Sequence, residues 1–185
     1  MANDEIRRKV FVSFHHSDEE EAEQFVVRCY QQRVFIPRML NASYSDEIIN
    51  SSNADYVMSQ VRSRYLADTT VTLVLIGRCT HSRRYIDWEI KSSLRQGSFI
   101  PNGLLAVILP SAHTSVNLPY RFTENWQEGE EECYARLLEP PLNANQLARA
   151  IEDAYYARQT RARLIRNTTA MMKYNSRCRA CGITH

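Results

Sequence analysis

Seven consecutive residues, Thr70 to Ile76 (Thr-Val-Thr-Leu-Val-Leu-Ile), constrain this chain more than any other feature. They are β-branched or apolar at every step, without the polar alternation of a strand that meets water on one face, so they predict a strand covered on both sides. Two shorter runs repeat the signature, Val10 to Phe14 and Leu104 to Leu109, the second stopped by Pro110. Segments of helical period lie between them. Glu19 to Tyr30 repeats Ala22, Phe25, Val26 and Cys29 at three- and four-residue steps, with acidic residues in the first turn where the helix dipole favours them. Ala54 to Ala67 aligns Val57, Met58, Val61 and Tyr65. A third helix, which Ser82 can cap and Gly97 can end, presents Ile86, Ile90 and Leu94. The last, capped by Asn143 or Asn145, turns Leu147, Ile151, Ala154 and Tyr155 inward. Val34 to Ile36 reads as a short strand ended by Pro37, Asn41 to Asn53 as a long loop, and Tyr134 to Leu138 as a further short strand.

Strands alternating with amphipathic helices imply βαβ units with right-handed crossovers. The expected fold class is therefore α/β, a flavodoxin-like three-layer arrangement around a mostly parallel sheet of about five strands in the order 2-1-3-4-5, closed by a C-terminal basic helix. At 185 residues the chain buries roughly 70% of its unfolded surface, enough for a core without staples. Residues 1–165 are expected to form one domain and 166–185 a tail. The cysteines, Cys29, Cys79, Cys133, Cys178 and Cys181, are odd in number and irregular in spacing, which favours reduced thiols in a cytoplasmic protein. Met1 to Lys9 is charged and has no apolar run, so neither a signal peptide nor a membrane anchor is expected. The net charge of +2 is uneven: residues 1–142 carry 15 Lys+Arg against 19 Asp+Glu, and 143–185 carry 8 against 2. No zinc-finger spacing or RNA-binding strand accompanies that basic end, so nucleic acid is not the expected partner.

In a sheet of order 2-1-3-4-5 a ligand binds beyond the carboxyl ends of the strands, at the switch between strands one and three. This points to Ser13 to Asp18 and Gly77 to Glu89. The five glycines form neither a G-x-G-x-x-G nor a P-loop. A phospho-receiver would need an aspartate where Gly77-Arg78 stands, and a flavodoxin a glycine-containing loop where His15-His16-Ser17-Asp18 stands. Ser13, Phe14, His15 and His16 remain on one side of the crevice, and Arg83, Arg84, Tyr85 and Glu89 on the other. Tyr85 and Glu89, four apart, share a helix face. A carboxylate beside an aromatic suits cleavage of a ribosyl bond, whose departing sugar develops positive charge that an anion stabilises. If the leaving group is nicotinamide, already cationic, no general acid is needed.

Val-Phe-Val-Ser-Phe-His-His-Ser-Asp (10–18), Thr-Leu-Val-Leu-Ile-Gly (72–77) and Thr80-x-x-Arg83-Arg84-Tyr85-x-x-x-Glu89-Ile90 together resemble the TIR-like domain of bacterial anti-phage proteins, in particular the TIR-like subunit of the Thoeris system. The resemblance runs in order from residue 10 to about 109. It implies NAD+ as substrate rather than resident cofactor, release of nicotinamide, and an ADP-ribose-derived, often cyclic, signal that activates a partner effector. Homotypic assembly of like domains is also implied. The family's catalytic glutamate falls on Glu89 and its aromatic on Tyr85. Its loop after strand one falls on Phe14 to Asp18, and its loop after strand two near Ser43 to Glu47, which here holds Tyr44 and Asp46. The expected substrate contacts are Ser13, Phe14, His15, Tyr44, Asp46, Arg83 and Tyr85, with Arg83, Ser13 and His15 on phosphates or ribose hydroxyls and Tyr85 and Phe14 packing on the nucleotide.

Two other readings share these residues. A non-catalytic TIR-like interaction module would keep the fold with the crevice idle. A nucleoside deoxyribosyltransferase-like enzyme would use the glutamate as a covalent nucleophile. Cys178-x-x-Cys181-x-x-x-His185 offers three ligand types without the matching second pair of a structural zinc site, so no metal is expected. Cys79 reads as an ordinary buried thiol.

Overall fold

The computed structural model describes residues 7–39, 53–112, 114 and 116–184. Five parallel strands, β1 (Lys9–Ser13), β2 (Ile36–Met39), β3 (Val71–Ile76), β4 (Gly103–Ile108) and β5 (Arg136–Leu138), form one sheet in the order β2-β1-β3-β4-β5. The flavodoxin-like order expected from the alternation is thus the one observed. All six residues of β3 and all six of β4 are buried, as their continuous apolar runs require. Truncating Leu73, fully enclosed in the central strand, would cost about 2–5 kcal/mol.

Helices cover both faces. On one, α1 (Glu19–Gln31) and α5 (Ala144–Thr160) pack Phe25, Val26, Leu147 and Ile151 onto Val10, Val12, Leu73 and Leu105. On the other lie α2 (Ala54–Val61), which runs on as a π-turn to Leu66, and α3 (Arg84–Ser93). Val57, Met58, Val61 and Trp88 enclose Phe11 there, while Ile86, Ile90 and Leu94 meet Val74 and Ile76. The four-residue α4 (Tyr120–Thr123) adds Phe122 to this second core. Gly103 opens β4 where a Cβ would stand 2.0 Å from the Ala154 carbonyl oxygen, so only glycine lets α5 approach this closely.

Two local expectations need correction. The second strand begins at Ile36 and carries Pro37 inside it. Because β2 is an edge strand and the Ile36 amide already points inward to Arg8 O at 2.9 Å, the next amide faces outward, where proline loses no ladder bond. Ser82 does not cap α3. It ends a 3-10 turn, Thr80–Ser82, with its hydroxyl donating to Cys79 O at 2.8 Å, and Arg83 takes the N-cap position. The cap is supplied from 91 residues away, where Asn175 Oδ1 accepts from the Arg84 amide at 2.9 Å. Asn143 caps α5 in a reciprocal box with Gln146, as its sequence predicts.

Asn175 belongs to an irregular strap that follows α5 and runs along the outer side of α3. Asn167 Nδ2 donates to Lys91 O at 3.0 Å, Trp88 Nε1 to Met172 O at 2.8 Å, and the Ser176 amide to Ser82 O at 2.9 Å. The arginines at this end are largely engaged within the chain. Arg161 forks onto Asp153, Arg158 donates to Pro101 O, and Arg163 lies 3.7 Å from Glu132.

Candidate functional site

Strand periodicity decides what faces what at the carboxyl end of β1. Phe11 and Ser13 point to the α2–α3 side, while Val12 and Phe14 point to the α1 side. Ser13 therefore meets α3, and its hydroxyl donates to Glu89 Oε2 at 2.5 Å. Both are buried, Ser13 at 1% and Glu89 at 6% exposure. Burial pushes the Glu89 carboxyl up to about 7, and the Ser13 hydrogen bond, which favours the ionised form, only partly offsets it. Among the described residues no cation pairs with this carboxylate.

Tyr85 lies one turn earlier on α3, half-buried against the Phe11, Val57 and Trp88 cluster, edge-on to the Trp88 ring at 5.1 Å. Its hydroxyl accepts from Arg84 Nη2 at 2.9 Å. Arg83 is extended at the N-cap and 4% exposed, yet its Nε and Nη2 atoms have no hydrogen-bond partner among the described residues. A buried guanidinium with unused donors is costly and is suited to an anion. Arg83 acts on Asp18, whose carboxyl is raised chiefly by burial, further by Glu21, and lowered in part by Arg83. Asp18 lies directly over Gly77, where any Cβ would fall 2.0 Å from its Oδ2. The Gly77 amide in turn donates to Thr80 Oγ1 at 2.8 Å, which folds the loop between β3 and α3 back toward the strand end.

His15 is 6% exposed and caps the short turn His16–Asp18, with Nδ1 accepting from the Ser17 amide at 3.2 Å. Its ring lies 4.1 Å from that of exposed His16. Phe14 does not join Ser13 and Glu89: it packs on the opposite face with the α1 cluster. Tyr44 and Asp46 lie outside the described residues. Sequence reasoning missed Asp87, whose buried carboxylate is gripped by Arg121 at 2.8 and 3.3 Å and by the Met172 amide at 2.9 Å. Arg121 also donates to Asn167 Oδ1 and to the carbonyls of Thr169 and Ala170, so this pair ties α3 to the strap. An apolar helix period gives no sign of such a partnership.

A parallel sheet of this order, with a buried carboxylate presented to the end of β1, defines a flavodoxin-like α/β protein of TIR-like type. The family described as Thoeris protein ThsB, TIR-like domain, matches residues 11–114, more than half of the chain, and the chain belongs to that family of anti-phage defence proteins. No curated protein matches the sequence. Among the described residues no helix is long and apolar enough to cross a membrane.

Proposed function

We propose that the protein cleaves NAD+ at the bond between nicotinamide and ribose and releases an ADP-ribose-derived, cyclic signal that activates a partner effector in anti-phage defence. The observation that carries this reading is the Ser13–Glu89 pair at the carboxyl end of β1, a buried carboxylate with no paired cation among the described residues. As the glycosidic bond lengthens, its electron pair leaves with nicotinamide, which becomes neutral, and the positive charge passes to the ribosyl carbon. An ionised Glu89 stabilises that charge, and because Glu89 is buried its attraction is stronger than it would be in water. A free carboxylate needs a cation there, and the transition state supplies one.

Arg83 is placed to take a phosphate of the substrate through its unused Nε and Nη2 donors. His15 and Ser13 border the same strand end, and Tyr85 offers a ring one turn before Glu89. The ribosyl carbon is then captured either by water, giving ADP-ribose, or by a nucleophilic atom of the same molecule, giving a ring. The test is to express wild type and Glu89→Gln in bacteria, challenge both with several phages, and follow NAD+ and new ADP-ribose-derived masses in lysates. A new mass in wild type alone is expected. Equal profiles, with expression verified, would overturn the enzyme and leave an assembly module.

A further inference from the structure

Cys79 is about 100 residues from Cys178 and Cys181 in sequence, yet the strap brings the three sulfurs together so that all lie within 4.8 Å of one another. Cys178 Sγ is 3.1 Å from Cys79 Sγ, and Cys181 Sγ is 3.6 Å from it. Tetrahedral zinc with sulfurs at ~2.3 Å spaces its thiolates by about 3.8 Å, close to this arrangement. A disulfide would use two of the thiols and strand the third.

The local backbone supports a ligand turn. Cys178-Arg179-Ala180-Cys181-Gly182 closes on itself, with the Gly182 amide donating to Cys178 O at 2.8 Å and the Cys178 amide to Ile183 O at 2.9 Å. Gly182 has φ +75°, a conformation that favours glycine, and follows directly after the second cysteine. Arg177 Nε holds Gly182 O at 2.7 Å, and the Arg179 amide donates to His81 Nε2 at 3.1 Å, which docks the turn on the loop that carries Cys79. Cys178 is fully buried, whereas Cys181 is exposed and lines a cavity of about 590 Å³ with Ser17, Asp18, Arg78 and Cys79, so an ion can enter from solvent.

We propose that Cys79, Cys178 and Cys181 form a zinc site that fastens the C-terminal strap to the loop leading into α3. Three soft thiolates select a thiophilic ion, and zinc needs no redox partner to bind them. One tetrahedral position is left to a further donor. Binding replaces the thiol protons by the ion and releases them to solvent, so it weakens at acidic pH. The site is independent of the NAD+ reading: it makes its own claim about metal content and about the strap.

The full chain, purified under reducing, chelator-free conditions, is expected to hold about one zinc per molecule by elemental mass spectrometry. Stripped protein with verified free thiols should take up one equivalent of zinc, and of cobalt(II) with thiolate charge-transfer absorption. Cys178→Ser and Cys181→Ser should each lower zinc affinity by about a hundredfold or more, while Cys133→Ser leaves it unchanged. In wild type, metal removal should speed amide hydrogen exchange at Met172, Ser176 and Cys178 at least about tenfold. Failure of the reduced wild-type chain to take up either ion overturns the proposal whatever the variants do. So does zinc binding that survives both substitutions, or strap exchange that ignores the metal.

Discussion

Asp87 and Glu89 stand two residues apart on α3, point to opposite sides, and are both 6% exposed. Asp87 meets a matched cation: the Arg121 fork and the Met172 amide satisfy it, and the pair joins α3 to the strap. Glu89 meets a neutral hydroxyl, and burial leaves its carboxyl near 7. One helix thus buries two acids under opposite electrostatic rules. A structural carboxylate is held charged and paired. The other has no paired cation among the described residues, which makes it a poor contributor to stability and, in the proposed reaction, a receptor for the cation that forms.

The largest expected effect tests the functional half of this contrast. Glu89→Gln keeps the shape and removes the anion, so turnover of NAD+ should fall by about a thousandfold or more, measured with purified protein once conditions that support wild-type turnover are found. Surviving turnover would break the contrast, because Glu89 would then be as structural as Asp87. The other half is tested by Arg121→Ala, which strands the Asp87 charge in the interior and should destabilise the fold by about 3–5 kcal/mol in denaturant titration. A loss below about 1 kcal/mol would mean that the pair only breaks even with its desolvation.

A third prediction sets the two acids against each other through pH. The folded pKa of Glu89 lies above its ordinary value of 4.5, so the native state holds a proton that the unfolded chain has lost between those values. Stability linked to this group is full below about pH 4.5, falls as pH rises toward 7, and is lower by about 3 kcal/mol beyond it. Glu89→Gln should therefore melt higher than wild type at pH 8 and show no such advantage at pH 4.5. Equal melting temperatures at pH 8 would show that the carboxylate is not strained by burial.

Much of the scaffold was legible because it is written in local patterns. The runs at 70–76 and 104–109 needed only the rule that a strand buried on both faces is apolar throughout, and the position of Glu89 beside the carboxyl end of β1 followed from the expected strand order. What escaped depends on partners distant in sequence. The cap of α3 comes from Asn175, Asp87 is completed by Arg121, and Cys79 finds its fellow thiols about 100 residues later. Pro37 misled because a proline stops an inner strand but not the outward side of an edge; the expected order already puts strand two at the edge, but nothing in the local sequence shows which of its amides faces outward. Ser13 and Phe14 are expected together on one side of the crevice, whereas the pleat sends them to opposite faces of the sheet.

The smallest effect is the most specific. Ser13→Ala removes the hydroxyl that donates to Glu89 and leaves burial as it is, so the carboxyl should move further up from about 7. A hydrogen bond to a charged group contributes about 1.5–3 kcal/mol, and a tenfold change in ionisation corresponds to about 1.4 kcal/mol, so a displacement of about one pH unit is expected. If the ionised form is the working form, the rising limb of the turnover profile should shift to higher pH by that amount, with the plateau largely kept. Ser93→Ala is the matched control, because the Ser93 hydroxyl donates to the Glu89 backbone carbonyl and not to its carboxylate. It should leave the limb in place. A limb that stays fixed in Ser13→Ala, or moves to lower pH, would separate the measured ionisation from Glu89 and assign it to another group.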